Sequence, residues 1–340
     1  VPFCILIDRA TIVALKQHEK KIGNYFINYG GRTMDMIMVL LASFGGGVFG
    51  SLIGGLAAFI FTGIAGLIGI AIILSGGSDV FLNEVAFGPY FGPHIAFAGA
   101  VAATAYAGRK TATKNNRLKE QKNLSGADVV LEDHESINGE TDVENGADIT
   151  SPMFKTIDPI VLLIGGVFGM LGYGINYLLA TVMELPMDTI AFTVFILGLV
   201  ARFVFGKSGL TGVFPENEAK FNFTGVGILF NTIWGAALGA LIGYFVLLTE
   251  VPTIGFVVST TTLIFIYFGL TFPVSHHVSM VAGIAAITFG NIWMAILFGI
   301  LAVITGDFVQ RYTNTYVDTH LDMPATVIAL WTFVILGFFG

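Results

Sequence analysis

The sequence predicts an all-α integral membrane protein, a polytopic helical bundle built from two internally repeated halves. Three observations carry that prediction. First, the 340-residue chain is 55% hydrophobic and 11% charged, with a mean hydropathy of +0.81. An ordinary soluble domain carries about 25% charged residues and needs them to cover its surface. Second, five runs hold no charged residue, at 36–78, 159–183, 221–249, 251–275 and 278–306. A helical crossing takes about 20 apolar residues, so each run accommodates one and the first accommodates two. Barrel strands would be about ten residues long and alternating, which these runs are not. Third, similar segments recur at matching places along the chain.

The opening stretch, 1–35, is mixed and carries Arg9, Lys16, Lys20, Lys21 and Arg32. It reads as an interfacial amphipathic helix or the tail of a preceding segment, on the cytoplasmic side. No secretory signal is evident, and a start at Val1 leaves room for a missing natural N-terminus. The first half, 36–206, begins with the long apolar run and reaches "GPYFGPHIAFAG" at 88–99. Next comes a polar linker, 109–158, basic at first and then acidic. Its low hydrophobicity and many Gly, Asn, Ser and Asp predict a solvated, flexible segment. Asp128, Glu132, Asp133, His134 and Glu135 in it read as a solvated charge run rather than a cation site. Apolar segments at 159–183 and 189–206 complete the half. After a short linker, 207–220, the second half, 221–340, contains segments at 221–249, 251–272, 277–289, 291–306 and 323–340.

The repeats underlie this division. "GGVFG" occurs at 46–50 and 165–169, and "NTIWGAALGAL" from Asn231 is similar to "NIWMAILFGIL" from Asn291. "HIAFAGAVAA" from His94 aligns without gaps to "HVSMVAGIAA" from His277, and segments from Met187 and His320 fit the same frame more loosely. Each of four units has a Gly-rich opening helix and a closing helix. Small residues four apart, such as Gly46/Gly50, Gly50/Gly54 and Gly165/Gly169, suit close helix packing in lipid.

Two topologies remain open. Lys and Arg mark cytoplasmic loops. If 85–108 enters and leaves on one side, then 1–35, 109–158 and 202–220 are all cytoplasmic and only Arg311 lies outside. The acidic breaks at Glu184/Asp188 and Glu250 then face outward. The segments from His94 and His277 are short for spans and each follows a proline, which ends the preceding helix. The expectation is therefore eight full spans plus two half-helices, with ten full spans as the alternative. Four spans per half would make the repeats parallel, and five would make them inverted. Shortened, Pro/Gly-interrupted segments at matching places in two halves point to a transport site.

The candidate solute- or ion-binding residues are accordingly Pro93, His94, Pro273, His276, His277, Asn231 and Asn291. An intramembrane imidazole suggests a bound polar solute, a carried proton or a metal ligand, with metal the weakest because no carboxylate or thiol sits nearby in sequence. Half-helix N-termini at His94 and His277 would aim free N–H groups inward and favour an anionic or carbonyl-bearing solute. Asp188 and Asp322 read as ordinary helix N-caps, with His320 beside the second. Asn176, Asn231 and Asn291 read first as interhelical hydrogen-bonding residues and second as path lining.

Several classes are set aside. The single cysteine, Cys4, excludes a disulfide framework and a Cys-based metal site. There is no basic surface for nucleic acid. "GKSG" at 206–209 has the Gly-x-Ser-Gly form of intramembrane serine proteases but sits in a polar break. "LSGGS" at 74–78 resembles the ABC ATPase signature without a phosphate-binding loop. The sequence thus predicts no enzyme and no cofactor. The expected partners are the bilayer and a small solute or ion, with a homo-oligomer left open. The architecture is similar to that of repeat-built transporters and channels, among them urea channels with paired half-helices, without a specific family motif. The resulting expectation is a multi-pass transporter or channel of the cell membrane, plasma or inner. Movement would not be driven by ATP and would follow a path between the halves. The alternative is a membrane scaffold or assembly subunit that docks through 109–158.

Overall fold

A computed structural model describes residues 32–125, 142–220 and 223–340. The chain divides into two compact units, Val1–Leu41 and Ala42–Gly340. In the first, the described residues are the opening turns of a helix; every other described element belongs to the second. Of the expected interfacial segment 1–35, residues 1–31 lie outside the described residues and 32–35 belong to the helix that starts at Arg32; the acidic cluster at 128–135 also lies outside them.

Ten α-helices and no strand occur among the described residues. They are α1 (Arg32–Ile53), α2 (Gly55–Leu74), α3 (Ala98–Ser125), α4 (Pro159–Tyr177) and α5 (Thr189–Phe205), then α6 (Gly225–Thr249), α7 (Ile254–Thr262), α8 (His276–Phe289), α9 (Ile292–Thr313) and α10 (Met323–Phe339). Five stretches are long and apolar enough to cross a membrane: Met36–Ile53, Gly55–Leu74, Pro159–Val182, Gly225–Thr249 and Ile292–Thr313. Large apolar side chains point outward along them. Val226 is 80% exposed and Trp293 72%, an arrangement suited to lipid rather than water.

Local chemistry sets the helix starts. Asp158 accepts from Ile160 N with Pro159 at the first position, and Asp188 accepts from Ala191 N. Thr224, Asn291 and Asp322 cap α6, α9 and α10 in the same way. Between α1 and α2 the single residue Gly54 takes φ 93°, which its missing side chain permits. The chain reverses there. Phe49 on α1 and Phe61 on α2 both pack against Phe91, and Leu56 N donates to Ile149 O across the turn.

Small residues set the helix crossings. A Cβ on Gly169 would strike Ser43 O, and one on Gly165 would strike Ser51 Oγ, so residues 42–53 run antiparallel to α4. Likewise α6 and α9 run antiparallel, with Gly235 against Gly299 and Val303, and Gly239 against Ala295. Helix α3 opens with Ala98, Ala100, Ala102, Ala103 and Ala105, all buried. A helix this thin can be surrounded on every side, and without a hydrophobic drive in lipid such close approach is what holds helices together.

One end of the unit collects the basic residues. Arg109 donates to Val204 O, Lys110 pairs with Asp158 at 2.7 Å, and Arg311 donates to Lys220 O at 3.0 Å. The buried Arg202, in the last turn of α5, donates to the carbonyls of Leu210, Thr313 and Thr319. Arg311 therefore belongs with the other basic residues, not opposite them as the eight-span reading requires. The difference arises because α9 runs antiparallel to α6 and so toward the basic end, which it reaches at Thr313, rather than away from it.

The polar stretch 109–158 also departs from expectation. Helix α3 carries on to Ser125, and residues 142–158 pack back onto the bundle. Val143 and Met153 are buried, and a Cβ on Gly108 would strike Gly146 N. Small residues and Asx turns, such as Asp148 Oδ1 with Thr150 N at 2.8 Å, let a polar segment lie against helices with its backbone satisfied.

Candidate functional site

The segment "GPYFGPHIAFAG" forms a break between two helical pieces. A π-helical turn, Phe81–Ala86, leads to a bend at 87–92, and a second π turn, Pro93–Phe97, continues into α3. Pro93 has no N–H, and Ile95 N donates to Gly92 O, so Phe91 O is left free of the helix ladder. The Thr62 hydroxyl takes it at 2.6 Å. A neighbouring helix thus satisfies the broken backbone, as burial in lipid demands. In the second half α8 starts afresh at His276, after a stretch in which Gly269 has φ 75°.

Two cavities lie near these breaks. One, of about 470 Å³, is on the side of the basic end, with Asn231, Asp307, Gln310 and Thr150 in its wall. Another, of about 200 Å³, is on the opposite side, where Asp188, Thr253 and Asn83 line it. We call them the inner and outer cavities. Four residues line both: Phe59, Phe97, His276 and Asp322. Phe59 and Phe97 have ring centroids 5.5 Å apart, and the His276 ring meets Phe59 edge-on at 4.8 Å. These side chains form the partition between the cavities.

Polar groups concentrate at the partition. Asp322 caps α10 through Oδ2, accepting from Ala325 N at 2.7 Å, while its Oδ1 lies 3.4 Å from His320 Nε2. His276 and His277 are 3% and 2% exposed, and no hydrogen-bond partner meets the Nδ1 of either ring among the described residues. His277 lines the inner cavity, and a Cβ on Gly306 would come within 2.7 Å of its Nε2. Asn231 donates to Asp307 Oδ2 at 3.2 Å and accepts from Trp234 Nε1 at 3.1 Å.

The structure brings together part of the expected residue set. Pro93 lines the outer cavity, Asn231 and His277 the inner one, and His276 both. His94 is buried at 2% exposure outside the lining of both cavities, its carbonyl oxygen against Gly172. Pro273 is exposed and lines neither cavity. Asn291 is exposed and caps α9, accepting from Trp293 N at 2.8 Å. Asn176, expected to bond between helices, has a buried Oδ1 without a partner among the described residues. The Ser208 hydroxyl of "GKSG" donates to Asp318 at 2.6 Å, a loop-fastening bond.

Sequence reasoning assigned Asp188 and Asp322 a capping role alone. Both do cap, and both also line the outer cavity. Asp307, in the middle of an apolar helix, was the available signal for the inner cavity. The lining is acidic: Asp188, Asp307 and Asp322 face the cavities, and no Lys or Arg does among the described residues. That charge balance disfavours the anionic solute expected from helix N-termini alone. No group of three His, Cys, Asp or Glu that could hold a metal ion occurs among the described residues.

One family model matches the chain, over residues 30–130, 125–224 and 220–338, and it describes a family of unknown function (DUF7973). No curated protein and no solved structure matches.

Proposed function

We propose that this chain, which belongs to the family of unknown function DUF7973, is a membrane transporter or channel for a small solute or ion. The observation that carries the reading is the shared partition: two cavities approached from opposite ends of the unit touch the same Phe59, Phe97, His276 and Asp322. A path interrupted at one constriction, lined by polar groups amid apolar helices, is what alternating access or gating requires.

The topology belongs to this proposal. Residues 42–53 run toward the basic end, α2 returns from it, and the broken segment 81–108 runs toward it again. With α4 to α10 alternating after that, the reading is ten crossings, the alternative to eight spans plus two half-helices. In this reading the basic end faces the cytoplasm of the cell or inner membrane; because residues 42–53 run toward that end, the reading starts them from the other side and gives up the expected cytoplasmic N-terminus. Five crossings per half make the halves, 36–206 and 221–340, inverted repeats. The small-residue crossing of α1 with α4 has its counterpart in α6 with α9, which supports that relation.

Reconstitution into sealed vesicles tests the proposal, with uptake of a panel of small polar solutes and ions measured against empty vesicles. Flux of at least one species is expected, changed by about tenfold in His276→Ala and unchanged in His94→Ala. A folded protein that moves none of them refutes the transport reading and leaves the scaffold.

A further inference from the structure

We infer that the partition carries protons: Asp322 and His276 form the relay through which a proton passes between the two cavities. The inference rests on the transport reading above and names the ion that moves.

Two titratable side chains, and no others, line both cavities among the described residues. A group that exchanges protons with both sides must face both, and these two do. His276 is 3% exposed, and its buried Nδ1 has no hydrogen-bond partner among the described residues. A buried ring nitrogen left open is a position waiting for a proton or a donor. Asp322 keeps one oxygen on the α10 amide and holds the other only loosely, 3.4 Å from His320.

The flanking groups continue the route on each side. Asp188 lies in the wall of the outer cavity, and His277, Asp307 and His320 lie in the wall of the inner one. Together with Asp322 and His276 these are the titratable groups facing the relay from α5, α8, α9 and α10 among the described residues. Neither the α2 nor the α3 side presents a charge there; they contribute Phe59 and Phe97. The aromatic rings block a hydrated ion but not a proton handed between fixed groups. A metal ion would need three or more converging ligands, which the described residues do not offer.

The step balances simply. An O–H bond of a hydronium ion in the outer cavity breaks, and its proton forms an O–H bond on the Asp322 carboxylate or an N–H bond on the unprotonated ring nitrogen of His276. That bond breaks as the proton leaves toward Asp307 and the inner cavity. Both groups return to their starting charge, and one positive charge has crossed.

The test uses the full chain in vesicles loaded with a pH-sensitive dye, with a potassium diffusion potential, negative inside, set by valinomycin. Wild type is expected to acidify the lumen. Asp322→Asn and His276→Gln should slow acidification at least about tenfold, in the range of lost proton-transfer groups, while His94→Gln keeps the wild-type rate. Asparagine is itself a good N-cap, so Asp322→Asn keeps the α10 start. Should it fail to assemble, His276→Gln carries the comparison. Wild-type acidification in both variants overturns the relay. Flux of another solute or ion without acidification overturns the proton and leaves the conduit standing. Absence of all flux overturns both.

Discussion

Asp318 shows how one side chain fastens two loops at the basic end. Its carboxylate accepts from Lys207 N at 2.6 Å, from Ser208 N at 3.3 Å and from the Ser208 hydroxyl at 2.6 Å. Partial burial works to raise its pKa. The Ser208 hydroxyl and the two amides outweigh that and hold it below the usual carboxylate value. A depressed folded pKa means the unfolded chain takes up the proton first as the pH falls. The stabilisation is then fully present above about pH 4 and is lost as the pH drops through the lower folded value. Asp318→Asn is expected to lower the Tm at pH 7, with the gap to wild type closing in acid; a gap independent of pH would contradict this. At the same scale, Asp322 was legible only as a cap. Sequence spacing shows that an aspartate starts a helix but not which cavity its second oxygen faces.

Helix contacts turn on single glycines, and α4 offers a comparison within two residues. A Cβ on Gly172 would overlap the His94 carbonyl oxygen, whereas one on Gly174 meets nothing within 4 Å. Gly172→Ala should therefore destabilise by about 1–3 kcal/mol through overpacking against backbone. Gly174→Ala should be neutral or stabilise by up to about 1 kcal/mol through helix propensity. Thermal unfolding in detergent reads both, and equal shifts would show that the α4 contact is not tight. The Gly165/Gly169 row was visible in the sequence as a packing stripe. That it meets Ser43, Gly47 and Ser51 of α1, while Gly46 and Gly50 meet Pro89 and Ala96, was not. A stripe shows that a helix can approach another closely, not which helix will.

At the scale of the whole second unit, the direction of each helix decides the topology. Thr189 to Phe205 is one helix whose last turn meets Arg109 and Thr319, so Asp188 lies at the opposite end. Asn83, which shares the outer cavity with Asp188, donates to Asp79 at 2.9 Å and carries that turn to the same side. In a Cys4→Ser background, Asp79→Cys and Glu250→Cys should label with an impermeant thiol reagent from one face of sealed vesicles. Lys207→Cys and Lys114→Cys should label from the other. Labelling of Asp79→Cys together with Lys207→Cys would restore the eight-span topology with its half-helices.

The membrane class needed no tertiary information. Transfer of 20-residue apolar runs out of water is a sum over side chains, and composition reports a sum directly. Helix starts at Asp188 and Asp322 were legible for a similar reason, since a cap bonds within its own first turn. The break before His94 was legible too, because Pro93 acts on its immediate neighbours. The pairing of Thr62 with Phe91 O, the packing of 142–158 onto the bundle and the return of Arg311 to Lys220 were settled only in three dimensions. So was the meeting of His276 with Asp322 at one partition, which separates them from His94, their expected companion. These contacts join residues tens to hundreds of positions apart. Their energies depend on which helices cross, and local sequence does not encode that.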